Sequence, residues 1–157
     1  TAPYRHFDGK DDLLSAVAAE HLVSLKAQMQ QAIGDLAPTP TPLFRACFAY
    51  VRAAWDQPNH YRLAFGGDYS FKPSRVLEEA AADFSSYFHE LVVSAQRGNE
   101  LIDGDVRDVG PLLWVLLHGL AMSNHLVADR AHVSETGYGV DDLTRVLDLA
   151  LQALAPR

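Results

Sequence analysis

The chain has 157 residues, an apolar fraction of 48% and a formal net charge of −7 at pH 7, which is enough for one domain with a sizeable core. Its single cysteine, Cys47, excludes an internal disulfide and a cysteine-rich zinc site. Because affinity for DNA comes largely from Lys and Arg side chains on phosphates, so acidic a composition is a poor match for polyanions. No signal peptide or bilayer-spanning run is predicted, and we expect a cytoplasmic protein without a membrane partner.

The first half of the chain has helical hydrophobic spacing. One helix is predicted for residues 11–35, with an acidic start that suits the positive end of a helix dipole. A proline-rich connector follows, in which Thr41 should cap the next helix and Pro42 should be its first residue. That helix is limited by Pro58, after which a short aromatic segment is expected to be interrupted at Gly66-Gly67.

The second half of the chain is also predicted to be helical. Residues 74–98 form one helix, with Gly98-Asn99 as its stop signal. Residues 106–130 form a helix that is apolar nearly all round, so it must be covered on more than one side. A polar loop separates it from a last helix at residues 141–154. These two apolar helices predict packing against a second copy of the chain, with these interface candidates: Leu116, Leu120, Leu143, Leu147 and Leu151.

Three motifs occur in a characteristic order. They are Pro-Tyr-Arg-His-Phe-x-x-Lys-x-x-Leu-Leu at residues 3–14, Pro-x-x-Tyr-Arg-Leu-x-Phe at residues 58–65, and Trp-x-x-x-His-Gly-Leu at residues 114–120. The first resembles the junction between the recognition helix and the following helix in TetR-type (tetracycline-repressor-like) bacterial transcriptional regulators. The other two resemble a short middle helix and the Trp…His-Gly signature of one subgroup of that family. The similarity therefore spans essentially the whole chain.

The resemblance implies an all-α fold, the TetR-like C-terminal helical bundle for ligand binding and dimerisation. Residues 1–10 would be the C-terminal remnant of a helix-turn-helix DNA-binding domain, and residues 11–157 the ligand-binding and dimerisation domain. The implied function is that of a homodimeric, ligand-responsive repressor, with no cofactor and no metal. Its two DNA-binding heads would match two operator half-sites, and a small apolar or aromatic effector would favour a conformation with the wrong spacing.

Carried over from the family, three residues would contact double-stranded operator DNA. Tyr4 and His6 would hydrogen-bond to phosphates, and Lys10 would pair with a phosphate at the head of its helix. The alternative is a surface turn without DNA contacts.

The effector would lie among the middle helices, where an apolar cavity with a few polar groups suits a small molecule. Aromatic residues at helical spacing are also common in an ordinary core, so we expect about half of the candidates to touch a ligand. His118 would either offer a hydrogen bond to the ligand or be a satisfied buried histidine. The candidates are Phe48, Trp55, Tyr61, Phe65, Tyr69, Phe84, Phe88, Trp114 and His118.

Two other function classes remain open from the sequence. One is a helical small-molecule-binding or carrier protein without DNA function, against which the opening motif argues. The other is a helical metal enzyme, which would need Glu-x-x-His motifs that face inward. No glutamate in the chain has a histidine three places on, so we do not expect an enzyme.

Overall fold

The computed structural model describes residues 7–34, 40–66, 71–123 and 140–156. All the regular secondary structure in these ranges is helical, which confirms the all-α prediction. The helices are α1 (Lys10–Gly34), α2 (Pro42–Asp56), α3 (Pro58–Phe65), α4 (Arg75–Arg97), α5 (Val106–Met122) and α6 (Val140–Ala153).

Several helix ends follow the local sequence signals. The Thr41 hydroxyl oxygen accepts a hydrogen bond from the Phe44 amide at 3.3 Å, and Pro42 is the first residue of α2. Asn99, just beyond the end of α4, has a φ of 57°, the left-handed conformation common after helix ends. In α5 the last helical residue is Met122. The predicted continuation of this helix toward residue 130 lies outside the described ranges.

Helix α2 is the centre of the bundle and packs against each of the other five helices. Its side chains are therefore buried on more than one face, and Tyr50 and Val51 are completely inaccessible. Ala46, Ala53 and Ala54 are buried as well. Their small size lets neighbouring helices approach α2 closely, so this helix sets the positions of the others in the bundle.

Two charged side chains from other parts of the chain bind backbone groups at helix ends. The last turn of α1 has no basic residue, but the Arg45 guanidinium from α2 donates to the carbonyls of Ala32 at 2.8 Å and Ile33 at 3.2 Å. At the start of α2, the Leu43 amide donates to the Glu100 carboxylate at 2.9 Å. These bonds satisfy backbone groups that helix ends leave unpaired.

Candidate functional site

A cavity of about 570 Å³ lies between α1, α3, α4 and α5. This volume is within the range of small-molecule sites in proteins, which are mostly apolar with a few polar groups. The cavity is lined by Leu22, Ala64, Phe65, Ala81, Phe84, Ser85, Phe88, His89, Val106, Arg107, Gly110, Pro111 and Trp114.

The wall of the cavity is aromatic and is built around Trp114. The ring centroid of Trp114 lies 5.2 Å from that of Phe88, 5.4 Å from that of Phe65 and 6.2 Å from that of Phe84. All three contacts have steep interplanar angles, the edge-to-face geometry that aromatic pairs favour. Four of the nine sequence-predicted pocket residues are thus brought together in the lining.

The other predicted pocket residues are placed elsewhere or are not described. The Phe48 ring stacks on Phe44 with centroids 6.2 Å apart, and the Trp55 indole N–H donates to the Leu120 carbonyl at 3.1 Å. Tyr61 and His118 contact the aromatic wall but are not among the lining residues. Tyr69 lies outside the described residues.

Behind the aromatic wall, three polar side chains form a hydrogen-bonded chain. The Tyr61 hydroxyl lies 2.6 Å from the Tyr50 hydroxyl and 2.7 Å from Nδ1 of His118. Burial raises the pKa of both tyrosines and lowers the pKa of His118. These three side chains are therefore uncharged near pH 7. All three groups are satisfied when Tyr50 donates to Tyr61 and Tyr61 donates to His118.

The opening of the cavity is polar, and its polar residues were not predicted from the sequence. Ser85 and His89 come from α4, and Arg107 comes from the first turn of α5. Arg107 stands in the segment before the apolar run of α5, where nothing in the local pattern indicates a cavity. Tyr50 was also missed, because its place in the buried stripe of α2 predicts burial but not its hydrogen-bond partners.

The first turns of α5 border the cavity at Gly110 and Pro111, where no large side chain fills the space. Asp105 caps the helix by accepting from the Arg107 amide at 2.8 Å. Pro111 has no amide hydrogen, so the Arg107 carbonyl loses its usual partner one helical turn later. A Cβ added to the buried Gly110 would meet nothing within 4 Å, which shows that this face of α5 opens onto the cavity.

The expected DNA contacts are only partly within the described residues, since Tyr4 and His6 lie outside them. Lys10 is exposed and is the first residue of α1. One neighbouring carboxylate, that of Asp11, accepts a hydrogen bond from the Lys72 amide at 3.2 Å. Ser15 likewise accepts from the Ser74 amide at 2.9 Å. The segment before α4 is thus fastened to the first two turns of α1.

The predicted interface leucines divide into two groups. Leu143, Leu147 and Leu151 are buried within the single chain, and Leu116 and Leu120 are half-buried. The buried three pack into the core of their own chain, and the assignment of all five to a dimer interface stays a prediction. Among the described residues of α5 and α6, the exposed large apolar side chains are Leu112, Val115, Met122 and Leu149.

Two negative findings hold for the described residues. No helix among them is both long and apolar enough to cross a membrane. No group of three or more His, Cys, Asp or Glu side chains within the same residues is arranged to hold a metal ion.

The described residues thus form an all-helical bundle with an aromatic cavity between four of its helices. The model of the family described as "Tetracyclin repressor-like, C-terminal domain" matches residues 43–137. This is more than half of the chain, so the chain belongs to that family. Domains of this family are regulatory rather than enzymatic, which confirms the expectation that the chain is not an enzyme.

Two solved structures from Rhodococcus share the fold. A protein of unknown function from Rhodococcus sp. RHA1 is 22% identical, with a TM-score of 0.76 over 98% of this chain and 77% of that one. A bacterial regulatory protein in the tetR family from Rhodococcus RHA1 is 17% identical, with a TM-score of 0.70 over 97% of this chain and 77% of that one. No curated protein matches the chain.

Proposed function

We propose that the chain is the effector-binding and dimerisation domain of a transcriptional repressor that binds operator DNA as a homodimer in the cytoplasm. The observation that carries the proposal is the cavity of about 570 Å³ with its aromatic wall, inside a domain of this family. A small apolar or aromatic molecule would displace water from the aromatic wall and be stabilised by the hydrophobic effect.

Helix α1 supports the link between the cavity and DNA binding. It contributes Leu22 to the cavity lining and begins at Lys10, twelve residues earlier or about 18 Å along the helix axis. A ligand that changes the position of α1 at Leu22 would also move its first turn. By the family resemblance, that turn adjoins the DNA-binding unit, where Tyr4, His6 and Lys10 are the proposed phosphate contacts.

The segment before α4 provides a second connection between the cavity and the start of α1. Its backbone amides at Lys72 and Ser74 donate to Asp11 and Ser15 near the start of α1. Because Phe84 and Phe88 on α4 line the cavity, a shift of α4 on ligand binding would be transmitted to α1. The ligand can favour one arrangement only by the difference between its affinities for the two.

The exposed apolar side chains on α5 and α6 support the homodimer. Of the six exposed large apolar residues among the described ones, four lie on these two helices. Apolar surface concentrated on one pair of helices is typical of a protein interface. A twofold dimer would use the same surface of both copies.

The cavity is tested by a matched pair of substitutions on α4. Ala81 lines the cavity, whereas the neighbouring Ala82 does not, and both are exposed. We expect Ala81→Trp to weaken binding of the neutral fluorescent probe N-phenyl-1-naphthylamine at least about tenfold, because the indole occupies the cavity. Ala82→Trp should leave the affinity unchanged. Equal affinities for both variants would reject the cavity as the effector site.

DNA binding is tested on a polypeptide that carries this domain together with a helix-turn-helix unit. Lys10→Ala should weaken binding to an operator fragment and lower its salt dependence, because one phosphate contact is lost. Lys26→Ala, on the same helix and paired with Asp83, is the control and should bind as the unmodified protein does. Unchanged affinity on Lys10→Ala would contradict the contact assignment. Binding of the probe without operator binding would favour the carrier function.

A further inference from the structure

The lining of the cavity differs in charge from the rest of the chain. The whole chain has 20 Asp and Glu residues against 13 Lys and Arg residues. The lining contains one arginine and one histidine, and no acidic residue. A cavity that excludes carboxylates in so acidic a chain is suited to a ligand with negative charge.

The Arg107 guanidinium is available to such a ligand. Within the part of the chain that the structure describes, it makes no ion pair and no side-chain hydrogen bond. The adjacent Asp105 carboxylate does not neutralise it by a direct contact, because that carboxylate accepts from the Arg107 backbone amide as the helix cap. Arg107 is also in the first turn of α5, where the helix dipole favours anions.

The arrangement of the lining also fixes an orientation for the ligand. The aromatic wall offers no charged partner, so an ionised group placed against it would lose hydration without compensation. Arg107, His89 and Ser85 all offer hydrogen-bond donors. An anionic group would thus lie beside these donors, while the apolar remainder of the molecule contacts Trp114 and its neighbours.

We propose that the effector is an amphipathic organic anion, with an aromatic or aliphatic body against the aromatic wall and its anionic group held by Arg107. This inference rests on the proposed function, because it names the ligand class of the same cavity. An arginine can bind a carboxylate or sulfonate through two parallel hydrogen bonds, which gives both affinity and specificity.

The test compares two fluorescent probes with the same aromatic body. 8-Anilinonaphthalene-1-sulfonate carries an anionic group that N-phenyl-1-naphthylamine lacks. We expect Arg107→Gln to weaken binding of the sulfonate at least about tenfold, because a charge-assisted contact is lost. The neutral probe should change less than about twofold. Arg107→Lys should recover part of the sulfonate affinity, and Arg97→Gln, at the end of α4 and outside the lining, should change neither.

The failures of the two proposals are distinguishable. Unchanged sulfonate affinity on Arg107→Gln, with both probes weakened by Ala81→Trp, would overturn the anionic-ligand inference and leave the cavity as the binding site. If Ala81→Trp changes neither probe, the binding is adventitious and both proposals are rejected. An equal loss of both probes on Arg107→Gln would also overturn the inference, since the effect would not depend on ligand charge.

Discussion

Tyr61 and His118 are 57 positions apart in the sequence, yet the Tyr61 hydroxyl lies 2.7 Å from Nδ1 of His118. The same hydroxyl lies 2.6 Å from that of Tyr50. Tyr61 therefore joins α2, α3 and α5 through one polar chain behind the cavity wall. Since the Tyr50 side chain is completely inaccessible, its hydroxyl depends on Tyr61 for a partner.

Tyr61→Phe should be more destabilising than Tyr50→Phe. It removes both hydrogen bonds and leaves the buried Tyr50 hydroxyl unsatisfied, at a cost of about 1–3 kcal/mol in the free energy of unfolding. Tyr50→Phe removes one bond and leaves Tyr61 with His118. The double variant should be no less stable than Tyr61→Phe alone, because no tyrosine hydroxyl is then left without a partner. Urea unfolding of the three variants measures these differences. Strictly additive losses of unfolding free energy would contradict the hydrogen bonding between Tyr50 and Tyr61.

Local signals were enough to predict much of the fold. Thr41 and Pro42 start α2 as expected because a cap and a proline act within one helical turn. The aromatic residues at the cavity were predicted as a set, and Phe65, Phe84, Phe88 and Trp114 line it. The sequence did not separate them from Phe48 or Trp55, because hydrophobic spacing gives the buried face of a helix but not which buried residues border empty space.

Contacts between distant segments account for what the sequence did not predict. Arg45 closes the end of α1 from the next helix, and Arg107 reaches the cavity only because α4 and α5 pack together. Leu143 and Leu147, which the sequence predicts as interface residues, are buried within their own chain. An amphipathic helix can bury its apolar face against its own chain or against a partner, and the spacing is identical in both cases.

Stability should fall as the pH is lowered, partly because of His21. Burial lowers the pKa of His21, and the same cause lowers the pKa of His118. Each folded-state pKa is therefore below the ordinary value of about 6.5, so below that pH the unfolded chain binds protons that the folded chain excludes. The free energy of unfolding should thus decrease from about pH 7.5 to about pH 5.5.

The surroundings of His21 make it the side chain to test. The His21 side chain is 5% exposed, and its Nε2 has no hydrogen-bond partner among the described residues. Its neighbours are His60 and Tyr61 on α3 and Gln57, the residue that precedes α3. His21→Gln removes the titrating group, so the decrease in unfolding free energy over this pH interval should be smaller than in the unmodified protein. An unchanged decrease, measured by urea unfolding at both pH values, would exclude His21 as a contributor.

Gly110→Ala should weaken ligand binding without increasing stability. Apart from its chain neighbours and its own helix backbone, an added Cβ meets nothing within 4 Å, but Gly110 precedes Pro111 inside α5, and a side chain before proline is disfavoured in helical backbone. The same methyl group enters the cavity, so the affinity for N-phenyl-1-naphthylamine should fall. Gly119→Ala is the matched control, because Gly119 is also in α5 with free space around it but is not in the lining. A loss of probe affinity in both variants would point to a general effect on α5.

Val115→Glu and Leu149→Glu should each dissociate the proposed dimer. Both side chains are 65% exposed and lie on α5 and α6, so in a dimer built on these helices each glutamate would be buried without a partner. We expect the dimer dissociation constant to rise at least about tenfold, as measured by sedimentation equilibrium. Val76→Glu, on α4 and 55% exposed, should have no effect. Equal effects of all three substitutions would reject this surface as the interface. The expected dimer dissociation constant is below about 10 μM, so an unmodified protein that is monomeric at that concentration would reject the dimer itself.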